Sequence, residues 1–80
     1  MKANVYVTLK REVLDPQGDA VRRALGSLGF EGVKSVRVGK LIELEVDTAD
    51  RPAAEQELRA MCQKLLANPV IEDFRFELAD

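Results

Sequence analysis

The sequence predicts a two-layer α+β sandwich in which two helices cover one face of an antiparallel sheet. Three observations favour this fold class. Apolar and polar side chains alternate in four short segments, two other segments carry apolar residues at helical spacing, and the segments follow one another in the order β-α-β-β-α-β. Right-handed crossovers then give the ferredoxin-like arrangement, whose usual strand order is 4-1-3-2. With 80 residues, the chain is expected to form a single domain, residues 1–80, with a small core that a partner subunit would supplement.

The first strand and the first helix are predicted from local patterns. Residues 5–10 alternate apolar and polar side chains, which is typical of a half-buried strand. Asp15 can cap the free N–H groups of a helix, and Pro16 fits its first position, where an N–H would have no partner. Gly29 is expected to end the helix in the left-handed conformation, with Phe30 placed to contact the last turn. The apolar stripe of this helix comprises Val21, Ala24, Leu25 and Leu28.

A β-hairpin is predicted in the middle of the chain. Residues 36–38 and 42–46 both alternate with period two, and Gly39-Lys40 between them is typical of a tight turn. In the 4-1-3-2 order, the carboxylates of the third strand would lie between two cationic neighbours. That arrangement would place Glu43 and Glu45 between Thr8 and Lys10 on one side and Arg37 on the other.

The second helix and the last strand complete the predicted fold. Thr48 or Asp50 is expected to cap the helix, and Asn68-Pro69 to end it, because the residue before a proline is pushed out of the helical region. Residues 74–78 alternate again and form the last strand. The predicted apolar stripe of the helix comprises Ala54, Leu58, Met61 and Leu65, widened by Cys62 and Leu66.

The composition narrows the classes of function. Acidic residues outnumber basic ones by 14 to 12, giving a net charge of −2, whereas duplex-binding proteins normally carry a basic excess. The absence of histidine removes the commonest general base and zinc ligand, and one cysteine cannot form an internal disulfide or a CxxC site. No apolar stretch approaches the ~20 residues of a membrane span, and residues 1–4 lead into a strand rather than a signal peptide. We therefore expect a cytoplasmic protein that binds neither nucleic acid nor membranes.

Side chains with reactive groups are better explained by structural roles. Tyr6 is the one aromatic residue placed to stack an RNA base on the central strands, where such modules need several. Cys62 lies on a helix stripe and is expected to be a small buried hydrophobic residue. Glu43 and Glu45 share an open strand face, where carboxylates are usually solvated or paired with cations. We therefore assign no catalytic, cofactor-binding or metal-ligating residue, and the residues alone indicate an interaction or ligand-binding domain.

Two segments are more elaborate than the start or the end of a helix requires. They are residues 15–18 and residues 65–72. Gly18 lowers helix propensity by about 1 kcal/mol in the first turn, which indicates close approach of another backbone or a ligand. We expect the start of the first helix and the end of the second at opposite ends of the helical layer. The two segments would then form no common pocket within one subunit and would act across subunit boundaries. Open sheet edges offer a route to self-association by strand pairing.

The same segments resemble the PurS family, the small subunits of phosphoribosylformylglycinamidine synthase. The resemblance rests on four motifs in order, residues 13–18, 28–30, 36–40 and 62–72, and it covers nearly the whole chain. Phe74 stands where the family often has tyrosine, so the ring is kept and a hydroxyl is lost. The residues that we assign as candidate subunit contacts are Asp15, Pro16, Gln17, Gly18, Gly39, Lys40, Asn68, Pro69 and Glu72.

The resemblance implies a role in a multi-subunit ligase of purine biosynthesis. In that complex, formylglycinamide ribonucleotide, ATP and glutamine become formylglycinamidine ribonucleotide, ADP, phosphate and glutamate. A glutaminase subunit (PurQ-like) releases ammonia, and a synthetase subunit (PurL-like) binds ATP and magnesium. The small subunit itself carries no cofactor, joins the two catalytic subunits and forms dimers or tetramers. By this resemblance the isolated chain is inactive.

Two alternative functions share the predicted element order. An ACT-like regulatory module would bind a small ligand, such as an amino acid, at a subunit interface, but residues 15–18 match its glycine-rich turn only loosely. A stand-alone acylphosphatase-like enzyme needs an arginine within a phosphate-cradling loop after the first strand, and Arg11 lacks that loop. Thermal-shift screening against amino acids distinguishes the ACT-like module from an assembly subunit.

Overall fold

The computed structural model describes residues 1–79 and confirms the α+β fold class. In chain order it contains β1 (Lys2–Leu9), α1 (Pro16–Ser27), β2 (Gly39–Glu45), α2 (Arg51–Met61), which continues into a π-helical turn (Cys62–Leu66), and β3 (Glu72–Ala79). The order within these residues is β-α-β-α-β. It corresponds to the predicted ferredoxin-like order with one strand fewer.

The sheet is antiparallel throughout, with strand order β2-β1-β3. Val5 of the central strand lies opposite Ile42 on one side and Phe76 on the other. The first strand therefore has the two neighbours that the 4-1-3-2 order predicts. Because side chains alternate along a strand, Ala3, Val5 and Val7 point to the same face, and each is at most 1% exposed. These three side chains form the centre of the core.

The predicted hairpin is wrong. Residues 33–38 have no regular secondary structure, and Gly39 and Lys40 lie inside β2, opposite Thr8 and Val7. The alternating residues 36–38 form no ladder because their polar groups bond to the loop after β1 instead. Glu43 and Glu45, predicted between Thr8 and Lys10 on one side and Arg37 on the other, instead lie opposite Asn4 and Lys2.

Both ends of α1 follow the sequence signals. The carboxylate of Asp15 accepts a hydrogen bond from the Gly18 N–H, as expected of an N-cap, and Pro16 occupies the first turn. At the other end Gly29 has φ +99°. The Phe30 N–H donates to the Leu25 carbonyl and the Gly29 N–H to the Gly26 carbonyl, at 2.9 and 3.1 Å. This pattern is the Schellman motif.

The placement of α1 differs from the predicted two-helix layer. Among the described residues, the core and the side chains packed against it include none from α1. Val21 and Leu28 of the predicted stripe are 41% and 72% exposed. The radius of gyration is 15.9 Å, whereas a compact chain of this length has about 12 Å. Among residues 1–79, therefore, the sheet is covered only by α2 and the turn that follows it.

The end of α2 corrects its predicted stripe. Ala54, Leu58 and Cys62 are completely buried, but Met61 and Leu65 are 37% and 82% exposed. The Ala67 N–H donates to the carbonyl of Cys62, five residues earlier, so the last turn holds one extra residue. The extra residue rotates the next positions, so that Leu66, as predicted, and Ala67, which was not predicted, face the core. Asp50 is the N-cap residue, and its N–H donates to the Thr48 hydroxyl.

Candidate subunit-contact site

The two motif segments meet at one end of the sheet. Because β1 and β3 are antiparallel, Leu9 at the end of β1 lies opposite Glu72 at the start of β3. The Lys10 N–H donates to the Ile71 carbonyl at 2.8 Å, which joins the loop before α1 to the loop after α2. The expectation that these segments lie at opposite ends, without a common pocket, is therefore wrong. The direction of strand pairing determines that they converge.

Asp15 is the central side chain of this end. One of its carboxylate oxygens accepts from the Gly18 N–H at 3.0 Å, and the other accepts from the Val38 N–H at 2.8 Å. The residue is 6% exposed. These two hydrogen bonds, from Gly18 first and then Val38, lower the pKa of Asp15, and the charge of Arg37 acts in the same direction. Asp15 therefore caps α1 and ties residues 36–38 to it.

Glycine is required at position 18 because the backbone of another part of the same chain lies against it. A Cβ atom added there would overlap the Val36 carbonyl oxygen and lie 2.7 Å from the Asp15 carboxylate. The predicted close approach of a backbone is confirmed, but the backbone belongs to the same subunit. Gly18 itself is buried and offers no surface to a partner.

Arg37 provides a second link that the sequence analysis did not assign. Its guanidinium donates to the carbonyls of Leu9, Lys10 and Val13 at 3.1, 2.7 and 3.3 Å. A guanidinium presents several N–H groups in one plane, so it can donate to more than one carbonyl at once. The only sequence signal was its position in the motif at residues 36–40. We call Asp15, Gly18, Val36, Arg37 and Val38 together the clasp.

Next to the clasp lies a cavity of about 290 Å³. Lys40 and Glu72 form an ion pair across it, with an N–O distance of 3.8 Å. The Glu72 carboxylate also accepts from the Asn68 N–H at 2.6 Å, and the Asn68 side chain accepts from the Val70 N–H at 3.1 Å. The residues that line the cavity are Val7, Leu9, Asp15, Gln17, Val38, Gly39, Lys40 and Glu72.

All nine candidate contact residues thus belong to one end of the molecule. Those that line the cavity are Asp15, Gln17, Gly39, Lys40 and Glu72, while Asn68 bonds to Glu72, and Pro16, Gly18 and Pro69 are their chain neighbours. Gly39 is needed for strand contact, since an added Cβ would lie 2.5 Å from the Val7 carbonyl oxygen. The outward positions are Pro16, Gln17, Lys40, Asn68 and Pro69, all of them exposed.

The charged groups at this end have hydrogen-bond partners within the chain. Asp15, Arg37 and Glu72 each make hydrogen bonds to backbone groups of the same chain. Within residues 1–79, no group of three or more Cys, Asp or Glu side chains could hold a metal ion. Cys62 is buried, as predicted, and burial raises the pKa of its thiol.

Comparison with known proteins identifies the family. Residues 2–80 match the PurS family, described as phosphoribosylformylglycinamidine (FGAM) synthase. This chain belongs to the PurS family. Similar proteins named phosphoribosylformylglycinamidine synthase subunit PurS occur in Synechocystis (51% identity, covering 92% of this chain and 74% of the relative) and in Bacillus subtilis (49% identity, covering 99% and 93%).

Solved PurS structures share the whole chain arrangement. The B. subtilis PurS structure has a TM-score of 0.87 at 49% identity and covers 99% of this chain and 98% of that one. The chain matched in the structure of PurLQS from Thermotoga maritima has a TM-score of 0.87 at 33% identity, covering 95% and 93%. Both matches span nearly all residues of this chain. Within residues 1–79, no helix combines the length and the apolar character that crossing a membrane requires.

Proposed function

We propose that this PurS-family chain is the non-catalytic small subunit of FGAM synthase. In this role it joins a PurL-like synthetase and a PurQ-like glutaminase and supports glutamine-dependent conversion of formylglycinamide ribonucleotide to formylglycinamidine ribonucleotide. The observation that carries the proposal is the near-complete match to the chain in the PurLQS structure. The match to PurS over residues 2–80 favours this function over the ACT-like module. ATP and magnesium would bind to the synthetase, in the cytoplasm.

The geometry of the clasp end supports a role in subunit contact. Asp15 and Arg37 are engaged by backbone groups of their own chain, which holds the loops in one conformation before a partner arrives. Such preorganisation reduces the entropy lost on binding. Gln17 and Lys40 remain exposed beside the cavity, and Val70 on the adjoining loop is 79% exposed. Polar groups beside exposed apolar side chains are typical of a protein-contact surface.

Reconstitution from separately purified subunits tests the proposed function. Adding this chain to the glutaminase and the synthetase should raise glutamine-dependent synthesis strongly. Synthesis from free ammonia should depend on it much less, because the synthetase then needs no coupling to the glutaminase. The chain alone should have no glutaminase or ATPase activity. Equal dependence of the two reactions on this chain would contradict the coupling role.

A matched pair of variants tests the contact site. Gln17→Arg adds length and charge at the cavity, whereas Gln56→Arg makes the same change at an exposed position of α2. Only Gln17→Arg should weaken binding to the catalytic subunits, by about tenfold or more, as measured by titration in the reconstituted assay. Equal binding by both variants would show that the end of the molecule carrying the clasp is not part of the contact surface.

A further inference from the structure

One face of the sheet lies open in the part of the chain that the structure describes. The core and α2 lie on the side to which the buried residues of β1 point, and the side chains that alternate with them point the other way. Residues directly opposite each other in a ladder share a face, so Tyr6 forms a row with Leu41 of β2 and Arg75 of β3. We call the side of the sheet that carries this row the outer face.

The row across the outer face has the composition of an interface centre. Leu41 is 54% exposed, and the Arg75 guanidinium lies over the Tyr6 ring, 3.9 Å from its centroid. Arg75 also forms an ion pair with Glu77 at 2.8 Å, and the two contacts together restrict its long side chain. Tyrosine and arginine carry much of the binding energy of protein interfaces. A side chain that is already ordered also loses less entropy on binding.

Carboxylates surround this row and outnumber the cations of the outer face by four to two. Glu43 and Glu77, for example, lie opposite Asn4 on either side of the central strand. Of the four carboxylates, only that of Glu77 forms an ion pair within residues 1–79. The carboxylates are those of Glu43, Glu45, Asp73 and Glu77, and the cations are those of Lys2 and Arg75.

This charge pattern selects the kind of partner that the outer face fits. Its excess of carboxylates would repel nucleic acid or an anionic membrane, and two copies placed face to face would bring like charges together. A depression of about 390 Å³ beside Glu43 and Glu45 gives room for side chains of a partner. The outer face therefore fits a protein surface on which basic side chains surround an apolar centre.

Most of the outer face is remote from the end of the molecule that carries the clasp. Lys2 and Leu9 are the two ends of β1, about 24 Å apart, and the acidic depression lies at the Lys2 end. The clasp lies beside Leu9, whose carbonyl accepts a hydrogen bond from Arg37. A subunit that joins two proteins needs two separate contact surfaces, and these two regions meet that condition.

We propose that the outer face binds a basic surface of the synthetase subunit, with Tyr6 and Arg75 at the centre of the contact. The synthetase is indicated by its substrates, because ATP and a ribonucleotide are anions and proteins that bind them carry positive potential. Glutamine has no net charge, so the glutaminase has no such requirement. The proposal rests on the proposed function and specifies which surface of this chain makes one of its two contacts.

Photo-cross-linking in the reconstituted complex identifies the protein on the outer face. One chain carries p-benzoylphenylalanine in place of Leu41, and the control chain carries it in place of Glu57, an exposed residue of α2. Irradiation should link position 41 to the synthetase in at least tenfold higher yield than position 57. A product with the glutaminase or with a second copy, equal yields at both positions, or no product would each overturn the proposal.

Charge reversal measures how much the carboxylates contribute to affinity. Glu43→Lys changes the outer face, whereas Glu57→Lys makes the same change on α2. Glu43→Lys should raise the concentration of this chain that half-saturates glutamine-dependent synthesis at least tenfold relative to Glu57→Lys. Added salt should narrow the difference, because screening weakens attraction between opposite charges. Equal half-saturation by the two variants would contradict the proposal.

Arg75→Ala and Arg23→Ala form a second matched pair, since both arginines are exposed and each forms a surface ion pair. Arg75→Ala should raise the half-saturating concentration at least fivefold relative to Arg23→Ala, and equal values would remove Arg75 from the contact. An unmodified chain that fails to raise glutamine-dependent synthesis would contradict the proposed function itself. Stimulation without a difference within either pair of variants would contradict only the outer-face contact.

Discussion

The end of the molecule that carries the clasp (the clasp end) and the apolar stripe of α1 differ in whether their side chains have partners within the chain. At the clasp end, the polar groups of Asp15 and Arg37 are bonded to backbone groups of the same chain. Along the stripe, Val21 and Leu28 expose much of their apolar surface to solvent. The chain therefore fixes the direction of α1 with hydrogen bonds before its apolar face has been covered. The position of α1 is determined within the subunit, whereas none of the described core residues comes from this helix.

The difference matters energetically because the two regions respond to different changes. A clasp that depends on close backbone contact is sensitive to added volume and to pH. An exposed apolar face is insensitive to both within a single chain, and it matters only in association. The following predictions test this contrast, from the largest expected effect to the smallest.

Replacing the clasp glycine should have the largest effect. Gly18→Leu would push the new side chain into the Val36 carbonyl, and overpacking of this kind costs about 1–3 kcal/mol of the free energy of unfolding. Gly26→Leu is the matched control in the same helix, since a Cβ there meets nothing within 4 Å. The control should be neutral or stabilised by up to about 1 kcal/mol, because leucine has the higher helix propensity. Urea denaturation compares the two variants.

This expectation replaces an explanation based on intermolecular contact. Had Gly18 served only to admit a partner, Gly18→Leu would be as stable as Gly26→Leu and would lose activity alone. Equal unfolding free energies for the two variants would show that residues 36–38 yield easily and that the clasp is weak.

Acid should loosen the clasp through Asp15. Hydrogen bonds from Gly18 and Val38 lower the pKa of this carboxyl below its ordinary value of 3.8. A lowered folded-state pKa gives stability that is present above the ordinary pKa and is lost as the pH falls through the folded pKa. Asp15→Asn cannot ionise, and its single carboxamide oxygen can replace only one of the two carboxylate acceptors, those for the Gly18 and Val38 N–H groups. It should therefore melt a few degrees lower than the unmodified chain at pH 7, although asparagine remains a good N-cap residue.

The pH dependence separates the contribution of the Asp15 charge to stability from that of its hydrogen bonds. The difference in melting temperature between the unmodified chain and Asp15→Asn should shrink as the pH is lowered below 4. Asp19, whose pKa is lowered chiefly by a hydrogen bond from Arg22, is present in both proteins and cancels in the comparison. A difference that stays constant down to pH 2 would mean that the Asp15 charge contributes nothing.

Local sequence signals predicted the parts of the fold that depend on neighbouring residues. The Asp15 cap and the Gly29 stop are set by backbone groups within four residues, and alternation in β1 follows from burial of one strand face. The short segment 36–38 also alternates, but two apolar residues are too few to define a strand when the backbone can bond elsewhere. The Asp15 carboxylate, 23 residues away along the chain, takes the Val38 N–H.

The candidate site depends on three-dimensional contacts that the spacing of residues along the chain does not reveal. The extra residue in the turn after α2 accompanies the hydrogen bond from the Ala67 N–H to the Cys62 carbonyl. No local residue type predicts this bond. The meeting of both motif segments follows from antiparallel pairing of β1 with β3, which brings Leu9 opposite Glu72. That pairing was part of the predicted strand order, but its consequence for the two loops was missed.

A smaller effect is expected from replacing the guanidinium of Arg37 with an ammonium group. Arg37→Lys keeps the charge but cannot reach several carbonyls in one plane. Because the guanidinium is exposed and its bonds compete with water, the loss should be about 1 kcal/mol or less. Hydrogen exchange provides the sharper measurement, since the amide of Val13, which bonds to Lys10, should exchange faster. Unchanged protection of that amide would limit the clasp to Asp15 and Gly18.

The smallest effect on folding is expected on the stripe itself. Leu28→Ser removes a side chain that is 72% exposed, so in dilute protein it should change the free energy of unfolding by less than about 0.5 kcal/mol. Leu58→Ala, at a completely buried position, is the reference and should cost about 2–5 kcal/mol. Repeating the measurement at rising protein concentration should separate Leu28→Ser from the unmodified chain, which gains stability as copies associate. If the two proteins gained stability equally with concentration, self-association would not involve this end of the stripe, whereas a large loss in dilute protein would mean that Leu28 is already covered within one chain.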